Sequence, residues 1–218
     1  MEKRKAVSKH DIMTWYMDYV LEHNDHPKTV FSFAKLNNFE EAIFYEYFAS
    51  FHAIEKGIFE TFFTNAINVL SKSEDYKTFD ARNKLLSFYY TFFENLTANR
   101  SYVKYTLYKN KADLKGLKTL SGLKKHFTNY INGLGIQMLD IKQERFEKLQ
   151  KNALKESAWL QLMLTVKFWL EDISASFEKT DIFIEKSVNT TFDVLDIAPI
   201  KSVLDLGKFL FKEKFQMN

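Results

Sequence analysis

The sequence predicts an all-α protein. Twenty-two Phe and eleven Tyr stand against only six Gly and two Pro in 218 residues, so bulky packing side chains are abundant and hairpin-building residues are scarce. The stretch Thr29 to Phe48 reads as two short helices around a polar turn. Farther on, apolar residues recur at helical spacing, as in Leu160, Leu164, Phe168 and Ile173.

Taken in order, helices are expected near 9–23, 30–36, 40–47, 50–72, 78–97, 100–110, 117–132, 138–151, 154–176, 180–195 and 200–214. The first is broken from the second by His26-Pro27. Val30, Phe33 and Ala34 share one face of the second, Asn37-Asn38 supply a turn that tolerates left-handed backbone, and Ala42, Ile43, Phe44, Tyr47 and Phe48 bury the third. Ile54, Ile58, Phe62 and Ile67 line the fourth. Later breaks fall at Ser73-Glu74-Asp75, Thr97-Ala98-Asn99, Gly116, Gly133-Leu134-Gly135 and Ala198-Pro199.

Composition narrows the function. With 46% apolar and 27% charged residues the chain has the balance of a soluble globular protein. It has no cysteine, hence no disulfide, thiolate nucleophile or Cys-based zinc site, which suits a reducing cytoplasm. The basic start Met1 to Lys5 runs into His10, Asp11 and Asp18 instead of an apolar core, so no secretory signal is expected. The most apolar stretch, 158–170, is interrupted by Gln161 and Lys167 and is too short to span a bilayer. There is no Gly-x-Ser-x-Gly elbow, phosphate loop or His-Glu-x-x-His, and an enzyme is not expected. His23 and His26 read as surface or helix-end residues in preference to metal ligands, so neither a metal nor a cofactor is expected.

The helix-turn-helix pattern, with Ile12 to Tyr16 upstream and Ser50 to Ile54 downstream, resembles the N-terminal domain of the TetR family of bacterial one-component regulators. Ile43 to Ser50 (IFYEYFAS) is similar to the family's aromatic signature at the end of the recognition helix. Phe168 to Asp172 and Phe177 to Lys186 resemble its C-terminal half. The resemblance implies a three-helix head over residues 1–49 and a helical ligand-binding and dimerisation domain over 50–218. It also implies a homodimer that reads a palindromic operator and is released by an apolar small molecule. Thr29 matches a position that touches phosphate, and Tyr45 an aromatic whose hydroxyl does the same. Glu40 and Glu41 open the recognition helix. There they fit the helix macrodipole and its free N–H groups, and Glu41 fits a cytosine amino group. Phe51 stands where a phosphate-contacting lysine is common.

Apart from the resemblance, Phe88, Tyr89, Phe92, Phe127, Tyr130, Trp159 and Met163 offer apolar walls with a few hydroxyl and indole donors, a composition suited to a hydrophobic small molecule or to an ordinary core. Leu160, Leu164 and Phe168, with Ile184, Val188 and Phe192, form stripes suited to a homodimer seam or to intrachain packing.

Charge is distributed unexpectedly for a DNA reader. Residues 1–56 hold seven Lys/Arg against nine Asp/Glu. Residues 100–125 hold eight Lys/Arg against one Asp, interleaved with Tyr102, Tyr105 and Tyr108, and would suit contact with an anionic membrane surface or plain solvation. A second reading follows, in which the head is degenerate and does not bind DNA while the same fold holds a lipid or isoprenoid.

Overall fold

Local capping sets the limits of the first helices. Ser8 opens α1 (Lys9–His23) with a capping box: its hydroxyl accepts from the Asp11 N–H at 3.2 Å, and the Asp11 carboxylate accepts from the Ser8 N–H at 2.9 Å. Asn24 closes it at φ 51°, a left-handed conformation that asparagine enters at low cost. Thr29 opens α2 (Val30–Leu36), its hydroxyl accepting from the Ser32 N–H at 3.0 Å. Asn38, at φ 54°, turns the chain into α3 (Glu41–Tyr47). The structure is a computed structural model and describes residues 6–109, 118–136 and 144–196.

Among the described residues there follow α4 (Phe51–Leu70), the short α5 (Glu74–Thr78), α6 (Ala81–Ala98), α7 (Arg100–Lys109), α8 (Ser121–Gly133) and the long α9 (Glu144–Glu171). A 3-10 turn over Ala175–Phe177 leads into α10 (Glu178–Asp196). Among the described residues there is no strand, and the fold is all-α. No helix among them is long and apolar enough to cross a membrane.

The helix expectations need three corrections. Ser73-Glu74-Asp75 does break the chain, but Ser73 then caps α5, accepting from the Tyr76 N–H at 3.4 Å. The break expected between 151 and 154 does not occur. Asn152 and Ala153 lie inside α9, where no Gly or Pro interrupts the backbone hydrogen bonds. Helix α9 ends at Glu171, not near 176, because Asp172 turns its carboxylate onto the next helix. That carboxylate accepts from the Ser174 N–H and hydroxyl at 2.8 and 2.6 Å and from the Thr180 N–H and hydroxyl at 2.9 and 2.7 Å. The helix expected over 200–214, residues 138–143 of the helix expected over 138–151, and the breaks at Gly116 and Ala198-Pro199 lie outside the described residues.

The chain forms two units. The first comprises Met1–Val69 with Thr91–Phe127, and the second Leu70–Tyr90 with Thr128–Asn218. In the first, α1, α2, α3 and the start of α4 close on a ring cluster. Phe33 meets Tyr16, Phe44 and Phe51 edge-on at 6.4, 6.4 and 5.7 Å, and Tyr16 stacks on Phe51 at 5.6 Å. Tyr16, Phe33 and Phe44 are wholly buried, and each such ring pair adds about 0.5–1.5 kcal/mol beyond its area burial. In the second unit, Trp169, Leu162, Ile184 and Val188 make the α9–α10 core.

Candidate functional site

The head presents α3 outward on the Phe33–Phe44–Phe51 cluster. Phe44 faces inward, while Tyr45 is 54% exposed, and Glu40, Ala42 and Glu46 are exposed beside it. Thr29 is exposed at the start of α2. Glu40 occupies the N-cap position of α3 but makes no side-chain cap bond there, so the expected satisfaction of free N–H groups does not extend to its carboxylate. Glu41 lies in the first turn and accepts a long hydrogen bond, 3.4 Å, from the Tyr45 hydroxyl. Two carboxylates therefore remain at the leading edge of the helix, beside the exposed Tyr45. Phe51, in place of a surface lysine, is a partly buried member of the ring cluster.

Behind the head lies a buried acid that helical periodicity does not reveal. Glu55, 6% exposed on α4, accepts from the Tyr16 hydroxyl at 2.9 Å. The same hydroxyl is 2.9 Å from His26 Nδ1, so with Tyr16 donating to Glu55 the imidazole is placed to donate to Tyr16. Nδ1 of His26 and Nδ1 of His52 each stand 3.6 Å from a Glu55 oxygen. Burial, followed by the nearby Glu55 charge, pushes the Tyr16 hydroxyl far above the ordinary tyrosine range, so it stays protonated as the donor. Nothing local marks Glu55 in the sequence, where His52, Glu55 and Lys56 read together as a polar stretch of a helix. His23 ends α1 with Nδ1 2.9 Å from the Tyr19 carbonyl, in keeping with the helix-end reading. Among the described residues no group of three or more His, Asp or Glu is placed to hold a metal ion.

The seven aromatic and Met positions read as ligand walls divide between the units. Phe92 and Phe127 lie in the first; Phe88, Tyr89, Tyr130, Trp159 and Met163 lie in the second. Phe88, Tyr89, Phe92 and Phe127 are wholly enclosed, whereas Tyr130, Trp159 and Met163 are half-buried. Phe88 lies 5.0 Å from the Tyr130 ring, and the Tyr130 hydroxyl donates to the Lys84 carbonyl at 2.9 Å.

An open groove of about 680 Å³ runs between α9 and α10. Its apolar floor is Leu160, Leu164, Phe168, Ile182 and Phe183; Gln161, Ser187 and Thr191 supply polar groups, and Lys179 and Lys186 stand at its rim. Phe168 and Phe183 stack at 4.6 Å, while Gln161 donates to Ser187 at 3.3 Å and accepts from Thr191 at 3.2 Å. The three seam residues on α9 are brought together here, with Leu160 59% and Leu164 51% exposed. Those on α10 are not: Ile184 and Val188 are wholly buried in their own chain, and Phe192 packs under the Arg82 guanidinium at 5.5 Å.

Residues 84–210 match the family described as tetracyclin repressor-like, C-terminal domain. That span is more than half of the chain. The chain belongs to the TetR family. In this TetR-family protein the matched span starts within α6 and takes in α7 to α10, so the groove lies wholly inside it. No curated protein matches the chain.

Proposed function

We propose that this TetR-family protein is a ligand-responsive, homodimeric transcriptional regulator that works in the cytoplasm. Residues 1–49 are its reading head and 50–218 its ligand-binding and dimerisation domain. The observation that carries the reading is the outward placement of α3 on a rigid ring core, with Thr29 and Tyr45 exposed on the α2–α3 pair. In this arrangement Thr29 and Tyr45 contact phosphate, and Glu40 and Glu41 lie at the base edges of the major groove.

A second copy covers the groove between α9 and α10. Leu160, Leu164 and Phe168 would otherwise stay in water as one contiguous apolar strip, and a self-complementary face is what a two-fold dimer requires. An apolar effector binds in the second unit against Phe88, Tyr89, Tyr130, Trp159 and Met163, and alters the spacing of the two heads.

One observation favours a second reading, a lipid or isoprenoid carrier with a degenerate head: α3 and its cap carry Glu40, Glu41 and Glu46 and no cation. A single titration separates the two. The protein is added to labelled duplex from upstream of its own gene and to scrambled duplex of equal length, at low and near-physiological salt. The regulator reading expects preferential binding that survives the higher salt. Equal, salt-labile binding to both duplexes, or none, refutes it.

A further inference from the structure

We propose that Gln161 is the residue by which the α9–α10 groove selects a second copy of this chain, its side-chain amide pairing with Gln161 of that copy across the two-fold axis. The pairing deepens the homodimer reading and rests on it. Among the described residues that line the groove, Gln161 is the one side-chain amide, set beside Leu160 and one helical turn from Leu164. An amide carries two N–H donors and an oxygen with two lone pairs. Within the chain, one N–H of Gln161 goes to the Ser187 hydroxyl at 3.3 Å, and Oε1 lies 3.2 Å from the Thr191 hydroxyl. That hydroxyl has a single proton and stands closer to the Ser187 carbonyl, at 2.9 Å, so Oε1 shares its donor with a second acceptor. The Ser187 hydroxyl in turn is directed at the Ile184 carbonyl, at 3.2 Å. One amide N–H and much of the acceptor capacity of Oε1 are therefore left to water or to the molecule that covers the groove.

What covers the groove must then do two things. It must take Leu160, Leu164 and Phe168 out of water, and it must satisfy the amide set among them. A partner that lays only aliphatic side chains over the strip strips water from Gln161 without replacing its hydrogen bonds, which disfavours that complex. A second copy related by a two-fold axis brings the same apolar strip and an identical amide, and two amides satisfy each other reciprocally, each N–H donating to the other's oxygen. Gln161 and Leu164 stand at the middle of the α9 span that lines the groove, Ser157 to Phe168. An antiparallel pairing of two such strips sets mid-strip residues opposite their own counterparts. A lone polar side chain in an apolar helical seam fixes register and partner in this way, as a buried asparagine does in coiled coils.

The chain has no cysteine, so single introduced cysteines report proximity without background. Gln161→Cys is compared with Lys167→Cys, exposed on α9 outside the groove, after identical oxidation and non-reducing electrophoresis. A disulfide needs Cα atoms within about 7 Å, so Gln161→Cys is expected to give mainly covalent dimer and Lys167→Cys little. Selection is read by letting tagged wild type exchange with a Gln161→Leu variant of equal melting temperature. The mixed dimer, in which an amide faces leucine, is expected at least about fivefold below its statistical share, whereas two wild-type populations mix freely. Two results overturn the pairing and leave the homodimer reading standing, provided that wild type is dimeric in sedimentation equilibrium: statistical mixing with the Leu variant, or Gln161→Cys crosslinking no better than Lys167→Cys. A wild type that stays monomeric overturns both.

Discussion

The hydroxyl of Tyr16 donates to the carboxylate of Glu55 at 2.9 Å, tying α1 of the head to the first turns of α4 inside the first unit. A carboxylate this deeply buried is stable only while it is hydrogen-bonded, and Tyr16 is its short-range donor. Tyr16→Phe should therefore destabilise the protein by about 1–3 kcal/mol in urea unfolding, and adding Glu55→Met should recover part of the loss by removing the orphaned charge. Equal losses in the single and double variants would contradict a stabilising role for this bond.

Asp172 makes stability depend on pH at the acid end. Burial acts to raise its carboxyl, but the side-chain and backbone hydrogen bonds from Ser174 and Thr180 outweigh it and bring it down to about 2. A carboxyl depressed on folding stabilises above its unfolded pKa, near 3.9, and that stability fades as pH falls toward 2. Asp172→Asn should cost about 1–2 kcal/mol at pH 7, and the gap from wild type should narrow between pH 4 and 2 in thermal melts. A gap independent of pH would refute the assignment.

Leu164 lies mid-strip in the α9–α10 groove. Leu164→Glu should weaken self-association by about thirtyfold or more, read as a rising monomer fraction in sedimentation equilibrium. Thermal stability measured below the association range should barely change, because Leu164 is already half-exposed in the single chain. An unchanged association constant would place the dimer seam elsewhere.

Under the operator reading, Glu40 and Glu46 on the exposed edge of α3 would repel phosphate. Glu40→Gln/Glu46→Gln should tighten duplex binding by roughly 5–30-fold at low salt, with the gain shrinking as salt screens the charges. No change in fluorescence anisotropy titrations at low salt would mean that these carboxylates face away from the duplex.

Much of the head was legible because its punctuation is local. Asn24, His26-Pro27 and Asn37-Asn38 stop and restart helices through their own backbone preferences, and α1 and α2 begin and end where the sequence places them. Periodicity identified the α9 strip for the same reason. It could not say which face of α10 turns inward: Ile184 and Val188 share a helical face, but packing against α9 decides that this face is core and that Ile182 and Phe183 line the groove. The Tyr16–Glu55 bond joins residues 39 positions apart, a separation at which no local pattern carries information. The long α9 runs on through Asn152 and Ala153, where a break was expected, because neither residue is a Gly or Pro and the helical backbone hydrogen bonds continue.

A dimer that reads an operator leaves a two-part footprint. Hydroxyl-radical footprinting of the purified protein on the duplex upstream of its gene is therefore the most direct test. Two protected patches about one helical turn apart, about 10 base pairs centre to centre and absent on scrambled duplex, are the predicted result. A uniform or absent footprint at protein concentrations that saturate its dimerisation would contradict it.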